Sequence, residues 1–283
     1  MDVIEQMYQR WADGDFGADD SWGDVTGEPR GVDYREVDAG GVPAMWIEPH
    51  GATRDRVIVA YHGGGFVGGS LFTHRKLYGH LAKATGVRAL LVHYRLAPEF
   101  PYPAQIEDAL GAYRYAAGDD VRVALAGDSA GGGLCVSTAL RARDAGLPAP
   151  AALLLISPWV DMALEGSTFE SNAATDVFFT REMVGGLVRV YLQGGESPKD
   201  AEVNVLHADL TGLPPMFVQV GGAEAILDES ERLAERARAA GVEVRLDVFA
   251  GKLHTFQMAA GRTPEADDAI RRFAAWVRPK LAI

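Results

Sequence analysis

Gly127-Asp128-Ser129-Ala130-Gly131-Gly132 decides the reading of this chain. The apolar run at 121–126 leads into it and a helical pattern at 133–140 leads out, so the hexapeptide sits at a strand-to-helix turn. A serine between glycines at such a turn is a nucleophile elbow. The turn is too tight for side chains at the flanking positions, and the nucleophile itself takes a strained backbone conformation. Its hydroxyl then stands clear of the sheet edge, at a helix N-terminus whose dipole favours developing negative charge. G-x-S-x-G also arises in Gly-rich turns that hold a serine by chance. The buried strand before it and the helix after it favour the elbow.

Working outward, continuous apolar runs recur at 57–61, 87–92, 121–126, 152–156 and 216–220, with a more alternating one at 242–249. Helical patterns at 73–85, 104–117, 130–145, 227–240 and 264–281 separate most of them. Runs that are apolar along their whole length are strands buried on both faces. Strand and helix repeated in this way predict a mostly parallel sheet with helices on both faces, and an active site at the carboxyl ends of the strands. Two more strands are expected at 32–37 and 42–47, joined by a hairpin at Asp38-Ala39-Gly40-Gly41 and placed at the sheet edge. That makes an eight-stranded α/β sheet.

Two segments stand outside the alternation. Val3, Ile4, Met7, Tyr8 and Trp11 fall at helical spacing, so 2–12 is expected to be an amphipathic helix. Residues 13–30 read as an acidic, Gly-rich loop with a helical turn. Between Pro158 and Pro215 there is no strand pattern, only Asp176-Val177-Phe178-Phe179-Thr180 and a helix over 181–192. An insertion of this size at the end of a strand predicts a lid, which the N-terminal helix would complete as a cap; two extra packing helices are the plainer alternative.

The length of 283 residues suits one large α/β domain. Lys and Arg total 27 against 39 Asp and Glu, a net charge of −12 that argues against nucleic acid and anionic membranes as partners. Cys135 is the lone cysteine, so no intrachain disulfide forms, and its place in a helix points to a buried structural thiol. No stretch approaches the ~20 apolar residues of a membrane span. The acidic start of the chain lacks the basic region of a secretory signal, so a cytoplasmic protein is expected. No H-E-x-x-H or clustered Cys/His spacing appears, and neither metal nor cofactor is expected.

His62-Gly63-Gly64-Gly65-Phe66 follows the 57–61 strand. Three glycines let the backbone approach a substrate oxygen and aim N–H groups at it, an HGGG-type oxyanion hole. The expected donors are Gly64, Gly65 and, after the nucleophile, Ala130. A phosphate-binding loop is the competing reading, weakened because no Lys-Ser/Thr follows and no G-x-G-x-x-G spacing is present. His62 is assigned to orienting the loop.

Serine needs a base. Of seven histidines, His254 lies just after the last strand, at the sheet edge that carries Ser129. His50, His74, His80, His93 and His207 have no comparable setting and read as surface or packing residues. The acid should follow the 216–220 strand. Glu224 sits in the loop there and is preferred. Asp228, at a helix start where acids commonly cap, is the alternative.

These motifs, with Tyr94-Arg95-Leu96-Ala97-Pro98-Glu99, Ser157-Pro158-Trp159 with Asp161, and Gly212-Leu213-Pro214-Pro215, resemble the bacterial hormone-sensitive-lipase-like carboxylesterases of the α/β-hydrolase superfamily. The resemblance covers nearly the whole chain. It implies an α/β-hydrolase fold in a single domain over 1–283, with a helical cap from about 1–30 and about 159–207. It implies Ser129 and His254 as catalytic and Gly64, Gly65 and Ala130 as oxyanion donors. Most members carry Asp at the acid position; Glu224 aligns with the subset that has Glu.

The expected activity is serine-esterase hydrolysis of short to medium acyl esters through an acyl-enzyme. A lactone hydrolase using the same residues is one alternative, and a non-catalytic small-molecule-binding homologue is another. Phe66, Phe178, Phe179, Met183 and Leu187 are the candidate pocket, with Phe169, Val177 and Tyr191 as further wall residues. Arg95 is expected to pair with Glu99. Lys252, two residues before His254, is either solvated or opposes imidazolium formation. A homodimer is compatible with the family.

Overall fold

A computed structural model describes residues 2–15, 22–118, 121–193 and 195–283, so 16–21 of the expected acidic loop lie outside the described residues. The strands are β1 (Val32–Asp38), β2 (Pro43–Pro49), β3 (Thr53–Tyr61), β4 (Val87–Val92), β5 (Arg122–Asp128), β6 (Leu153–Ile156), β7 (Met216–Gly221) and β8 (Val244–Phe249). The helices are α1 (Val3–Ala12), α2 (Trp22–Val25), α3 (Leu71–Thr85), α4 (Ala104–Ala116), α5 (Ala130–Asp144), α6 (Thr168–Ser171), α7 (Arg181–Tyr191), α8 (Leu227–Ala239) and α9 (Pro264–Val277).

All eight strands form one sheet in the order β1-β2-β4-β3-β5-β6-β7-β8. β2 pairs antiparallel with both its neighbours, and the remaining pairs are parallel. Helices flank the sheet: α3 packs with α9, α4 with α5, and α8 against β7 and β8. The apolar runs are buried as their continuity requires; Val57 to Tyr61 and Leu153 to Leu155 have no exposed surface. This is the α/β-hydrolase fold.

Strand register builds the site. Tyr61 lies opposite Gly127, Asp128 opposite Ile156, and Gly221 opposite Phe249. The chain therefore leaves β3, β5, β6, β7 and β8 along one edge, which gathers 62–65, Ser129, Ser157, Glu224 and His254. No local pattern carries that alignment; it follows from parallel pairing.

Element ends follow their caps. α3 starts at Leu71, two residues before the sequence expectation, because Ser70 and Thr73 cap each other reciprocally. The last helix stops at Val277 and a short 3-10 turn covers Pro279–Leu281, since a proline has no N–H to continue the ladder. Arg95 does not pair with Glu99. α4 folds back beside the 94–103 connection and brings Asp108 (2.8 Å) and Glu107 (3.0 Å) to the guanidinium, leaving Glu99 exposed. Cys135 is buried inside α5, and burial pushes its thiol well above the usual range. Among the described residues, no helix is long and apolar enough to cross a membrane.

Candidate active site

Ser129 joins β5 to α5 with φ +52° and ψ −120°. L-residues avoid this region, at roughly 1–3 kcal/mol. Two bonds hold it there: Ser129 N–H donates to Ile156 O (2.8 Å), and Trp159 N–H donates to Ser129 O (2.9 Å). Gly131 is required, because a Cβ there would strike the Tyr61 and His62 carbonyls. The first turn of α5 thus presses against the exit of β3, and Ser129 and the glycine loop become neighbours. Phe66, Ser129, Ser157 and Thr255 all have positive φ and all lie at this edge.

The glycine loop turns at Gly64, with φ +113°, whose carbonyl accepts from Val67 N–H and Gly68 N–H. The N–H groups of Gly64, Gly65 and Ala130 donate to no other described residue. Asp128 mounts the loop from below. Its Oδ1 accepts from Gly63 N–H (3.1 Å) and the Tyr78 hydroxyl (2.7 Å), and its Oδ2 faces His74 Nε2 (3.2 Å). Burial pushes the Asp128 carboxyl up, but the His74 charge and the hydrogen bonds outweigh it and hold it below the usual carboxylate range. His74 is therefore fully buried on a carboxylate. His62 stacks on Tyr94 at 4.3 Å and bonds Gly63 O through Nδ1. Burial, helped by His74, pushes the His62 imidazole down to about 3, so it is neutral at working pH.

His254 Nδ1 lies 2.8 Å from Glu224 Oε2. A carboxylate only accepts, so the proton sits on Nδ1 and Nε2 is left as the free base. Among the described residues Nε2 has no hydrogen-bond partner, the Ser129 hydroxyl included. Glu224 is fully buried, and its other oxygen accepts from the Ser157 hydroxyl (2.5 Å) and Gly221 N–H. Asp228 is not on His254. It caps the insertion through Ser167 N–H (2.9 Å) and lies 3.7 Å from Arg232. Lys252 points away into Asp2 (3.3 Å) and Glu265 (3.8 Å).

Ser129 and His254 open into one cavity of about 400 Å³. Its walls are Gly64, Gly65, Val67, Gly68, Trp159 and Ile226 from the sheet side, Trp11 and Trp22 from the N-terminal segment, and Phe178, Phe179, Met183, Val184 and Leu187 from the insertion. Among the described residues, no Asp, Glu, Lys or Arg lines it. Tyr8 ties α1 to the histidine loop, its hydroxyl 3.0 Å from Thr255 Oγ1, while its ring stacks on Phe178 at 5.6 Å.

Phe178, Phe179, Met183 and Leu187 line the cavity; Phe66 does not. With φ +63° its ring turns back into the core and stacks on Tyr191 at 4.2 Å. The same stack removes Tyr191 from the wall. Phe169 is buried under Arg181, and Val177 faces solvent. Trp11, Trp22 and Ser157 were missed as site residues. Trp11 belongs to the apolar stripe of α1, but a stripe does not say what it covers.

Over residues 58–258 the chain matches the family described as alpha/beta hydrolase fold. It is 37% identical to an acetyl-hydrolase of Streptomyces hygroscopicus, covering 86% of this chain and 81% of that protein. An esterase of the bacterial hormone-sensitive lipase family superposes with a TM-score of 0.91 at 38% identity, covering 98% of both chains. EstE5, whose crystals were soaked with p-nitrophenyl butyrate, does so at 0.90 and 31% identity, covering 99% of both. The chain belongs to the α/β-hydrolase family, among its hormone-sensitive-lipase-like carboxylesterases.

Proposed function

We propose that this carboxylesterase cleaves small, uncharged acyl esters with Ser129 as nucleophile, His254 as base and Glu224 as acid. The observation that carries this is the Glu224–His254 bond of 2.8 Å, which leaves Nε2 unpartnered beside the cavity that Ser129 also lines. In the reading, Ser129 Oγ attacks the ester carbonyl and its proton passes to His254 Nε2. The tetrahedral oxyanion is held by the N–H groups of Gly64, Gly65 and Ala130, each donor contributing roughly 3–4 kcal/mol of transition-state stabilisation. His254 gives the proton to the leaving alcohol. It then takes one from water, which attacks the acyl-enzyme and frees the acid.

Short to medium acyl chains are favoured by the cavity size of about 400 Å³ and its uncharged walls. The relatives named as an acetyl-hydrolase and soaked with p-nitrophenyl butyrate agree with that range. Residues of about 1–30 and 159–207 form the cap of a single domain over 1–283; in support, Trp11, Trp22 and five side chains of the insertion roof the cavity.

A fluorophosphonate should label Ser129, and p-nitrophenyl esters of increasing chain length should give a rate maximum at short chains, with lactones run alongside. A folded, unlabelled protein would sink the triad. The reading also carries the sequence expectations of a cytoplasmic location and a homodimer, which cell fractionation and sedimentation test.

A further inference from the structure

Asp176 has no part in that chemistry, yet it is buried beside it at 2% exposure. It opens the turn of the insertion that carries Phe178 and Phe179. Its Oδ1 accepts from Phe179 N–H (3.1 Å) and its Oδ2 from Ala225 N–H (2.9 Å). Ala225 is the residue after Glu224, so one carboxylate joins the insertion to the acid loop. Neighbours on the same turn reinforce the grip. Asn172 Nδ2 donates to Glu224 O (2.7 Å), and the Thr175 hydroxyl donates to Ala223 O (3.0 Å). At the other end of the turn, the Phe179 ring stands edge-on to the His254 imidazole at 4.3 Å.

We propose that Asp176 is a positioning residue for the histidine–acid pair, fixing Glu224 through the Ala225 N–H and the His254 ring through Phe179. This rests on the triad reading above. The Glu224 bond anchors Nδ1 but leaves the imidazole free to tilt about it. The Phe179 edge removes that freedom, so Nε2 stays at the cavity that Ser129 also lines. Reactive groups must be held within about 0.5 Å of the productive geometry, and a misplacement of about 1 Å costs roughly 10²-fold in rate.

Asp176 also brings a second negative charge to the imidazolium. Burial pushes its carboxyl up, helped by the Glu224 charge, and the two N–H bonds and the His254 charge offset this only in part. Both oxygens accept backbone N–H bonds, an arrangement that a carboxylate satisfies in full. Among the described residues, the polar and charged groups near His254 include Glu224 on Nδ1, Ser129 in the shared cavity, Ser157 on Thr255 N–H, the Tyr8 hydroxyl on Thr255, and Lys252 held by Asp2 and Glu265.

The test compares wild type, Asp176→Asn and Phe179→Leu on p-nitrophenyl butyrate from about pH 5 to 9, with thermal melts and fluorophosphonate labelling. Asp176→Asn should lower kcat by about 10- to 100-fold with KM within about threefold. It should also move the acid limb of kcat/KM to lower pH, because loss of a nearby negative charge disfavours the imidazolium. A merely structural role moves no limb. Phe179→Leu should lower kcat without moving the limb. A folded Asp176→Asn with wild-type kcat and limb overturns the proposal. If that variant does not fold, an unchanged kcat in Phe179→Leu overturns it instead. Absence of labelling in the wild type is a different result, and it removes the triad reading and this inference together.

Discussion

Replacing Glu224 by Gln should abolish most of the activity while leaving the fold intact. The carboxylate takes three donors: Ser157 O–H and Gly221 N–H on Oε1, and His254 Nδ1–H on Oε2. A glutamine has one oxygen. Two donors on the Oε1 side claim it, so the amide nitrogen faces His254. Nδ1 must then accept, the ring proton moves to Nε2, and Nε2 can no longer take the proton of Ser129. The same change of tautomer in a serine-protease triad lowers kcat by about 10⁴-fold. At about 1.4 kcal/mol per decade this is roughly 5 kcal/mol of transition-state stabilisation. Asp228→Ala is the control. It removes a bond to Ser167 N–H and should cost about 1 kcal/mol of stability with little change in rate. Steady-state hydrolysis of p-nitrophenyl acetate with a thermal melt reads both variants. A Gln variant that keeps more than about a tenth of kcat, beside an inactive Asp228→Ala, would refute the tautomer argument and reassign the acid.

Asp128→Asn should lower kcat by about 10²-fold, because the mount of the oxyanion loop loses its charge. The folded Asp128 carboxyl is held low, so its stabilisation is present above the unfolded value of about 3.9 and fades as pH falls through the folded one. Melts of the two proteins should therefore converge in strong acid, and a gap that persists there would argue against an ionic mount. Glu229 carries the opposite sign. Burial pushes it well above the usual range, so stability is full below about pH 4.3 and falls as pH rises through the folded value. Glu229→Gln keeps an acceptor for Val160 and Asp161 N–H and should flatten the dependence of Tm on pH; an unchanged slope would show that Glu229 does not set it. Trp11→Ala removes a cavity wall and should change the butyrate-to-acetate ratio of kcat/KM by about tenfold, whereas an unaltered ratio would remove α1 from the substrate site.

The alternation of apolar runs and helical patterns made the sheet legible, and the glycine motifs marked its active edge. Those signals are local: continuous burial, a tight turn, a backbone approach. What they could not carry were contacts between distant segments. Phe66 stands in the oxyanion motif and reads as a pocket residue, but its positive φ sends the ring into the core. Arg95 reads as paired with Glu99 until α4 supplies Glu107 and Asp108 instead. His74 has no telling neighbour in sequence and still becomes the buried partner of Asp128.

The sequence by itself determined the elbow at Ser129, the glycine loop at 62–65, the preference for Glu224 and the choice of His254, because each depends on a short run of residue types next to a strand end. Only the tertiary structure decided that Glu224 and not Asp228 meets His254, that the Ser157 hydroxyl donates to Glu224, and that Trp11 and Trp22 wall the cavity beside the insertion. The reason is physical. Parallel pairing brings the carboxyl ends of the strands to one edge of the sheet, and the packing of α1 and the insertion across that edge fixes which side chains face inward. Neither is encoded in any one stretch of chain.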